Sequence, residues 1–150
     1  KHEHDAGDRL ARLHRDPIAC RPETPLRTAL EAMATAFVGS VVITDDANRP
    51  VGVFTLRDLL NRVALPGLGL DTPIATVMTP DPVCLPHTSF AFEAAMAMAS
   101  RALHHICVVD AGRLVGVISE RDLFSLQRVG VANLSKAIAR AETGSPSSND

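Results

Sequence analysis

The 150 residues are 46% hydrophobic with five Phe, no Trp and no Tyr, so a packed core has to be built from Ala, Val, Leu, Ile and Met. A formal net charge of −2 without a run of Lys or Arg argues against a nucleic-acid surface, whose affinity rests on neutralised phosphates, and aromatic stacking platforms for single strands are lacking. No stretch reaches the roughly 18 apolar residues of a membrane span, no signal peptide opens the chain, and Cys20, Cys84 and Cys107 stand far apart outside any CxxC, as free thiols do in a reducing cytosol.

The chain opens on Lys1-His2-Glu3-His4-Asp5 without an initiator Met, so it is expected to be either processed or, the favoured reading, a piece of a longer protein. His2, His4 and Asp8 have a spacing that can chelate a metal, but no second shell is visible and two His on a terminus are the simpler reading. After this segment (1–16) comes a first unit over 17–64. It starts extended, Ile18 to Cys20. Thr24 is placed to cap a helix whose first residue is Pro25, with Leu26, Leu30, Met33 and Phe37 along one face. Two strands follow, Val41–Thr44 and Val51–Phe54, around the turn Asp45-Asp46-Ala47-Asn48. The second strand is nearly all apolar and is expected to be covered on both faces. A helix carrying Leu56, Leu59, Leu60 and Val63 closes the unit.

Leu65-Pro66-Gly67-Leu68-Gly69-Leu70 breaks that helix, and Ile74-Ala75-Thr76-Val77-Met78-Thr79-Pro80 completes a linker over 65–81. The order then repeats over 82–128. Val83 to Leu85 is extended, Ser89 takes the capping place, and Ala91, Ala95, Met98 and Ala102 share a face. Strands Ile106–Val109 and Leu114–Ile118 flank Asp110-Ala111-Gly112, and Leu123, Phe124 and Leu126 begin the closing helix. Residues 129–150 read as a C-terminal helix and a disordered tail of Ser, Pro, Asn and Gly.

The repetition is residue for residue. Pro17-Ile18 answers Pro82-Val83, Met33 answers Met98, and Val41-Val42-Ile43 answers Ile106-Cys107-Val108. One residue is lost in the turn, and then Val51-Gly52-Val53 answers Val115-Gly116-Val117 and Arg57-Asp58-Leu59 answers Arg121-Asp122-Leu123. Each unit is β-α-β-β-α, which makes the fold α/β with two pseudo-symmetric repeats.

The phrase Thr55-Leu56-Arg57-Asp58, repeated as Ser119-Glu120-Arg121-Asp122, ends an apolar strand and opens a helix. One reading is structural: Ser/Thr-x-x-acid is close to a capping box, although such boxes prefer the longer Glu or Gln. The other is functional. A helix N-terminus receives phosphate, the hydroxyl adds a donor, the Asp accepts ribose hydroxyls, and Arg57 or Arg121 can pair with phosphate. Cys107 beside His105 suggests a thiolate nucleophile, but Val42 stands opposite it in the repeat, which places Cys107 in the core.

These residues, from Val77-Met78-Thr79-Pro80 through Ile106 to Leu123 and again from Val41 to Leu59, resemble a tandem pair of CBS domains, the modules named after cystathionine β-synthase. The first copy departs at its entry, where His14-Arg15-Asp16 replaces Met78-Thr79-Pro80. The resemblance implies two repeats packed sheet to sheet, with clefts that bind AMP, ADP, ATP or S-adenosylmethionine. One cleft would use Ser119, Asp122 and Ile18, the other Thr55, Asp58 and Val83. His104, His105, Val117 and Arg121 would join the first, where the two His either face phosphates or merely cap a helix end. The implied role is regulatory and not enzymatic, with no required cofactor, no metal, no nucleic acid and no membrane. The implied assembly is a cytoplasmic homodimer controlling attached domains. A dimerisation scaffold with empty clefts is the alternative. The stretch Glu120 to Val129 further resembles the junction in bacterial signalling proteins that place such a pair between a cyclic-nucleotide-binding domain and a nucleotidyltransferase domain.

Overall fold

The computed structural model describes residues 9–123. The expected metal-spaced His2, His4 and Asp8, the closing helix beyond Leu123 and the tail lie outside them. A 3-10 turn, Leu10–Arg12, leads into β1 (Ala19–Cys20), α1 (Leu26–Ala36), β2 (Ser40–Thr44), β3 (Pro50–Thr55) and α2 (Leu56–Asp58), which runs on as a π-helical stretch, Leu59–Ala64. A second 3-10 turn, Ile74–Thr76, precedes β4 (Thr79–Pro80), β5 (Cys84–Pro86), α3 (Ala91–Arg101), β6 (His105–Asp110) and β7 (Arg113–Ser119). The chain turns helical again at 120–123.

Two sheets result, β1-β2-β3-β4 and β5-β6-β7. Each hairpin is antiparallel with a register shift, between Ile43 and Thr44 in one and between Val108 and Val109 in the other. The entry strand of each unit is added to the sheet of the other. Gly52 and Val53 of β3 pair with Pro80 and Thr79 of β4. In the same way Arg15 bridges Val117 of β7, with hydrogen bonds both ways at 3.0 and 3.1 Å. His14 and Met78 take matching places: a Cβ on Gly116 would overlap the His14 ring, and a Cβ on Gly52 would overlap Met78 Sδ. Glycine is required at both positions because another side chain already fills the space.

Three clusters hold the molecule. Leu26, Ala29, Met33, Val41, Ile43 and Phe54 centre the first, and Leu10, Ala94, Met98, Ile106, Val108 and Ile118 the second. The third joins the units: Val42 of the first packs with Cys107, Leu114 and Val117 of the second. Alternation along β2 explains this, since Val41 and Ile43 face their own helix while Val42 faces the other sheet. In the first unit the strand buried on both faces is therefore β2; β3, expected in that place, has Val51 and Val53 only half-buried. In the second unit β7 does bury Leu114, Gly116, Val117 and Ile118.

Several local expectations are corrected. Neither Thr24 nor Ser89 caps a helix; α1 starts after Pro25 and α3 after Phe90. Linker carbonyls do the work for α1, where Thr72 and Leu70 accept from the N–H groups of Leu26 and Arg27. For α3 the Glu93 carboxylate reaches back to the Phe90 N–H at 3.0 Å. Phe37 is not on the buried face but is 91% exposed, with φ 57°. Both first helices end in this left-handed way, at Phe37 and at Ala102, and the next amide closes onto Met33 O or Met98 O. Leu56 and Leu60 are also exposed, while Val63 is buried and Leu59 half-buried, because hydrogen bonding along 59–64 shifts to the π pattern and turns the face.

Candidate nucleotide cleft

The repeated phrase forms a capping box in both copies. Thr55 N–H donates to Asp58 Oδ2 at 2.9 Å, and Asp58 N–H returns to Thr55 Oγ1 at 3.4 Å. In the second copy Ser119 N–H and Oγ–H both donate to Asp122 Oδ2 at 2.9 Å, and Asp122 N–H donates to Ser119 Oγ at 3.1 Å. Asp is long enough here because the strand runs straight into the helical turn, so the preference for Glu or Gln does not weaken the box. The remaining carboxylate oxygen is where the copies part. Asp58 Oδ1 accepts from the Thr79 hydroxyl at 3.3 Å and lies 3.6 Å from Arg62. Asp122 Oδ1 accepts from Arg15 Nε at 3.2 Å and Nη2 at 2.9 Å. Thr79 and Arg15 occupy matching places in the two exchanged entry strands.

A cleft of about 450 Å³ lies between the units. It brings together Ile18, His104, His105, Val117, Ser119 and Arg121 of the expected residues. Asp122 stands behind this wall, held by Arg15, which does line the cleft. The left-handed turn at Phe37 carries Val38, Gly39 and Ser40 into the opposite wall. Val83 lines a separate cavity of about 80 Å³ with Thr79, His105 and Cys107, and neither Thr55 nor Asp58 reaches it. That space is far below the roughly 300 Å³ at which ligand pockets begin. Arg15, Asp16, Glu120 and residues 37–40 were not singled out from sequence. The alignment of Arg15 with Thr79 was the available signal.

Charged groups of both signs line the cleft: Arg15 and Arg121, and Asp16 and Glu120. Glu120 is engaged by His104 Nδ1 at 2.6 Å, while its N–H donates to His104 O. In the first unit Gly39 and Leu56 stand in these places and keep the backbone bond, Leu56 N–H to Gly39 O at 3.1 Å, without an ionisable side chain on either residue. Burial, and then the charge of His104, hold His105 below its ordinary value, against the pull of Asp122 and Glu120. Burial works to raise the Asp122 carboxyl, but the Ser119 N–H, the Arg15 and Ser119 side-chain hydrogen bonds and the Arg15 charge together hold it low. Cys107 lies opposite Cys84 on paired strands. Contact with that thiol, with burial, pushes Cys107 up, so it stays a protonated core thiol. Among the described residues no cluster of His, Cys, Asp or Glu is arranged to hold a metal, and no helix is long and apolar enough to cross a membrane.

Two β-α-β-β repeats, joined by exchanged entry strands and with a cleft between them, make up the described molecule. Comparison with known proteins gives the family: the CBS domain model matches residues 10–65 and 74–128, and the chain belongs to that family. The chain is 36% identical over 111 residues to arabinose 5-phosphate isomerase KdsD of Yersinia pestis, covering 73% of this chain and 33% of that one. It is 28% identical over 122 residues to a protein of Methanopyrus kandleri, 78% of this chain and 62% of that one, so it spans about three fifths of that relative. A Pyrobaculum aerophilum CBS domain protein complexed with AMP superposes with a TM-score of 0.71 at 32% identity, over 77% of this chain and 89% of that one. A CBS domain pair in complex with 5′-methylthioadenosine and S-adenosylmethionine superposes with a TM-score of 0.73 over 82% of this chain and 98% of that one, and at 19% identity it shares the fold.

Proposed function

We propose that the large cleft binds an adenine nucleotide and that binding regulates domains attached to this module in a longer, cytoplasmic chain, without catalysis. The observation that carries this is the joining, around one cleft of about 450 Å³, of the Ser119 phrase, the Ile18 edge and the side chains of Arg15, His104 and Arg121. In this reading Ser119 and Asp122 take phosphate and ribose, the backbone near Ile18 takes the base, and His104, His105 and Arg121 face the phosphates. The AMP-bound relative from Pyrobaculum aerophilum supports the ligand class. The small cavity at Val83 leaves Thr55 and Asp58 as a helix cap, so one ligand per pair is expected. Because Arg15 and His14 join the first unit's entry to the second unit's last strand, a ligand bound beside them favours one packing of the two units, and the chain on either side follows that packing. A ligand shifts that equilibrium only by its difference in affinity for the two packings.

Calorimetric titration with AMP, ADP, ATP and S-adenosylmethionine tests the reading. At least one nucleotide should bind, and Asp122→Ala should abolish binding while Asp58→Ala leaves it. At 100 times its Kd the ligand should stabilise the fold by about 2.7 kcal/mol. Failure of every compound to bind would leave a dimerisation scaffold. In either case the exposed Leu56, Leu60, Phe92 and Met96 are the apolar side chains a second copy would cover, and sedimentation tests whether the chain pairs.

A further inference from the structure

Resting on the reading of the large cleft as an adenosine-compound site, we infer that Arg15 makes that cleft selective for ligands bearing a phosphate over uncharged adenosine compounds, by giving up Asp122 to the ribose and taking the phosphate itself. A carboxylate offers about four acceptor sites. Those of Asp122 are filled by Ser119 N–H and Oγ–H on Oδ2 and by Arg15 Nε and Nη2 on Oδ1. A ribose hydroxyl therefore reaches Asp122 only by displacing a donor. The Ser119 bonds hold the cap of the helical turn at 120–123. The Arg15 side chain is half exposed and faces the cleft, so it is the donor that yields.

The Arg15 backbone does not yield with it. Paired hydrogen bonds tie it to Val117, and His14 is seated over Gly116. The freed guanidinium thus swings about a fixed point and stays at the cleft. Of the two acidic side chains there, Glu120 is engaged by His104 and Asp16 is solvated. A phosphate on the entering ligand supplies the missing anion in a geometry that suits a guanidinium fork. Adenosine or 5′-methylthioadenosine breaks the Arg15–Asp122 pair and offers nothing in return. The matching donor in the first unit, the Thr79 hydroxyl on Asp58, is neutral, and displacing it would free no charge.

The test compares AMP with adenosine by calorimetry on the wild type, Arg15→Ala and Arg15→Lys. The wild type should prefer AMP. In Arg15→Ala the preference should fall about tenfold or more, the weight of a charge-assisted hydrogen bond, with AMP weakened and adenosine unchanged or tightened. Arg15→Lys should retain most of the preference, because it keeps the charge. Should truncation lower the thermal midpoint, Arg15→Gln tests the same loss of charge with a donor retained. An unchanged AMP-to-adenosine ratio in the uncharged variants, with both compounds still binding, overturns the role of Arg15 and leaves the cleft's function standing. Failure of both compounds on the wild type overturns the function and this inference with it.

Discussion

His105 lies where the two repeats meet, lining both the large cleft and the small cavity beside it. Burial first, then the charges of His104 and Arg15, keep its folded pKa below the 6.5 of a free histidine. The unfolded chain thus binds more protons than the folded one just below that value. By linkage the neutral ring's contribution is whole above pH 6.5 and is lost as pH falls through the folded pKa. Substituting His105→Gln should flatten the stability curve just below pH 6.5, read from urea midpoints. An undiminished slope in the variant would assign it to another group. The direction of this shift was not legible in the sequence, where His104-His105 read equally well as a phosphate contact or a helix cap. It depends on burial against the other repeat, which adjacency in the chain does not encode. Asp122 shows the reverse: its place in the phrase was plain, yet its charge partner, Arg15, lies 107 positions away.

At the scale of elements, hydrophobic spacing located every strand of the two hairpins and both first helices, because alternation and helical periodicity are local properties. It failed where tertiary contacts replaced local chemistry. Thr24 has the composition of a cap, but linker carbonyls reach the α1 amides first. Phe37 fits the apolar face by count, but the chain leaves the helix at that residue, and the left-handed turn sends its ring to solvent. The entry strands were the least legible, since two or three residues carry too little pattern. Only the repeat register pairs His14 with Met78. That pairing predicts an energetic coupling. Gly116→Ala should destabilise by about 1–3 kcal/mol, the usual range for an overpacked contact. His14→Ala should recover much of the loss in the double variant, since the methyl group would enter the space the ring vacates. Additive effects in the denaturation cycle would show that the ring does not press on β7.

For the whole molecule, the exchange of entry strands decides whether the repeats are two domains or one. The first sheet contains Thr79 and Pro80 from the chain leading into the second unit, and β7 of the second carries Arg15 from the chain leading into the first. Asn48, in the turn of the first hairpin, accepts from Leu114 N–H at 2.9 Å and donates its side-chain amide to Leu114 O at 3.1 Å. Val42, Cys107, Leu114 and Val117 form a shared apolar layer that neither unit would keep dry alone. Losing one unit therefore strips the other of a strand, a turn contact and one face of its sheet. The described molecule should unfold in urea as one transition. Its cysteines supply two probes: Cys20, half-buried, packs against the first core, and Cys107 is buried in the layer the units share. Pulse alkylation read by peptide mass spectrometry should give both thiols the same midpoint. Labelling of Cys20 that rises above its level without denaturant before Cys107 reacts would mean that the first unit opens by itself and that the exchanged strands dock without carrying cooperativity. A common midpoint means that the two repeats fold as one cooperative unit, so that a molecule bound between them would stabilise both.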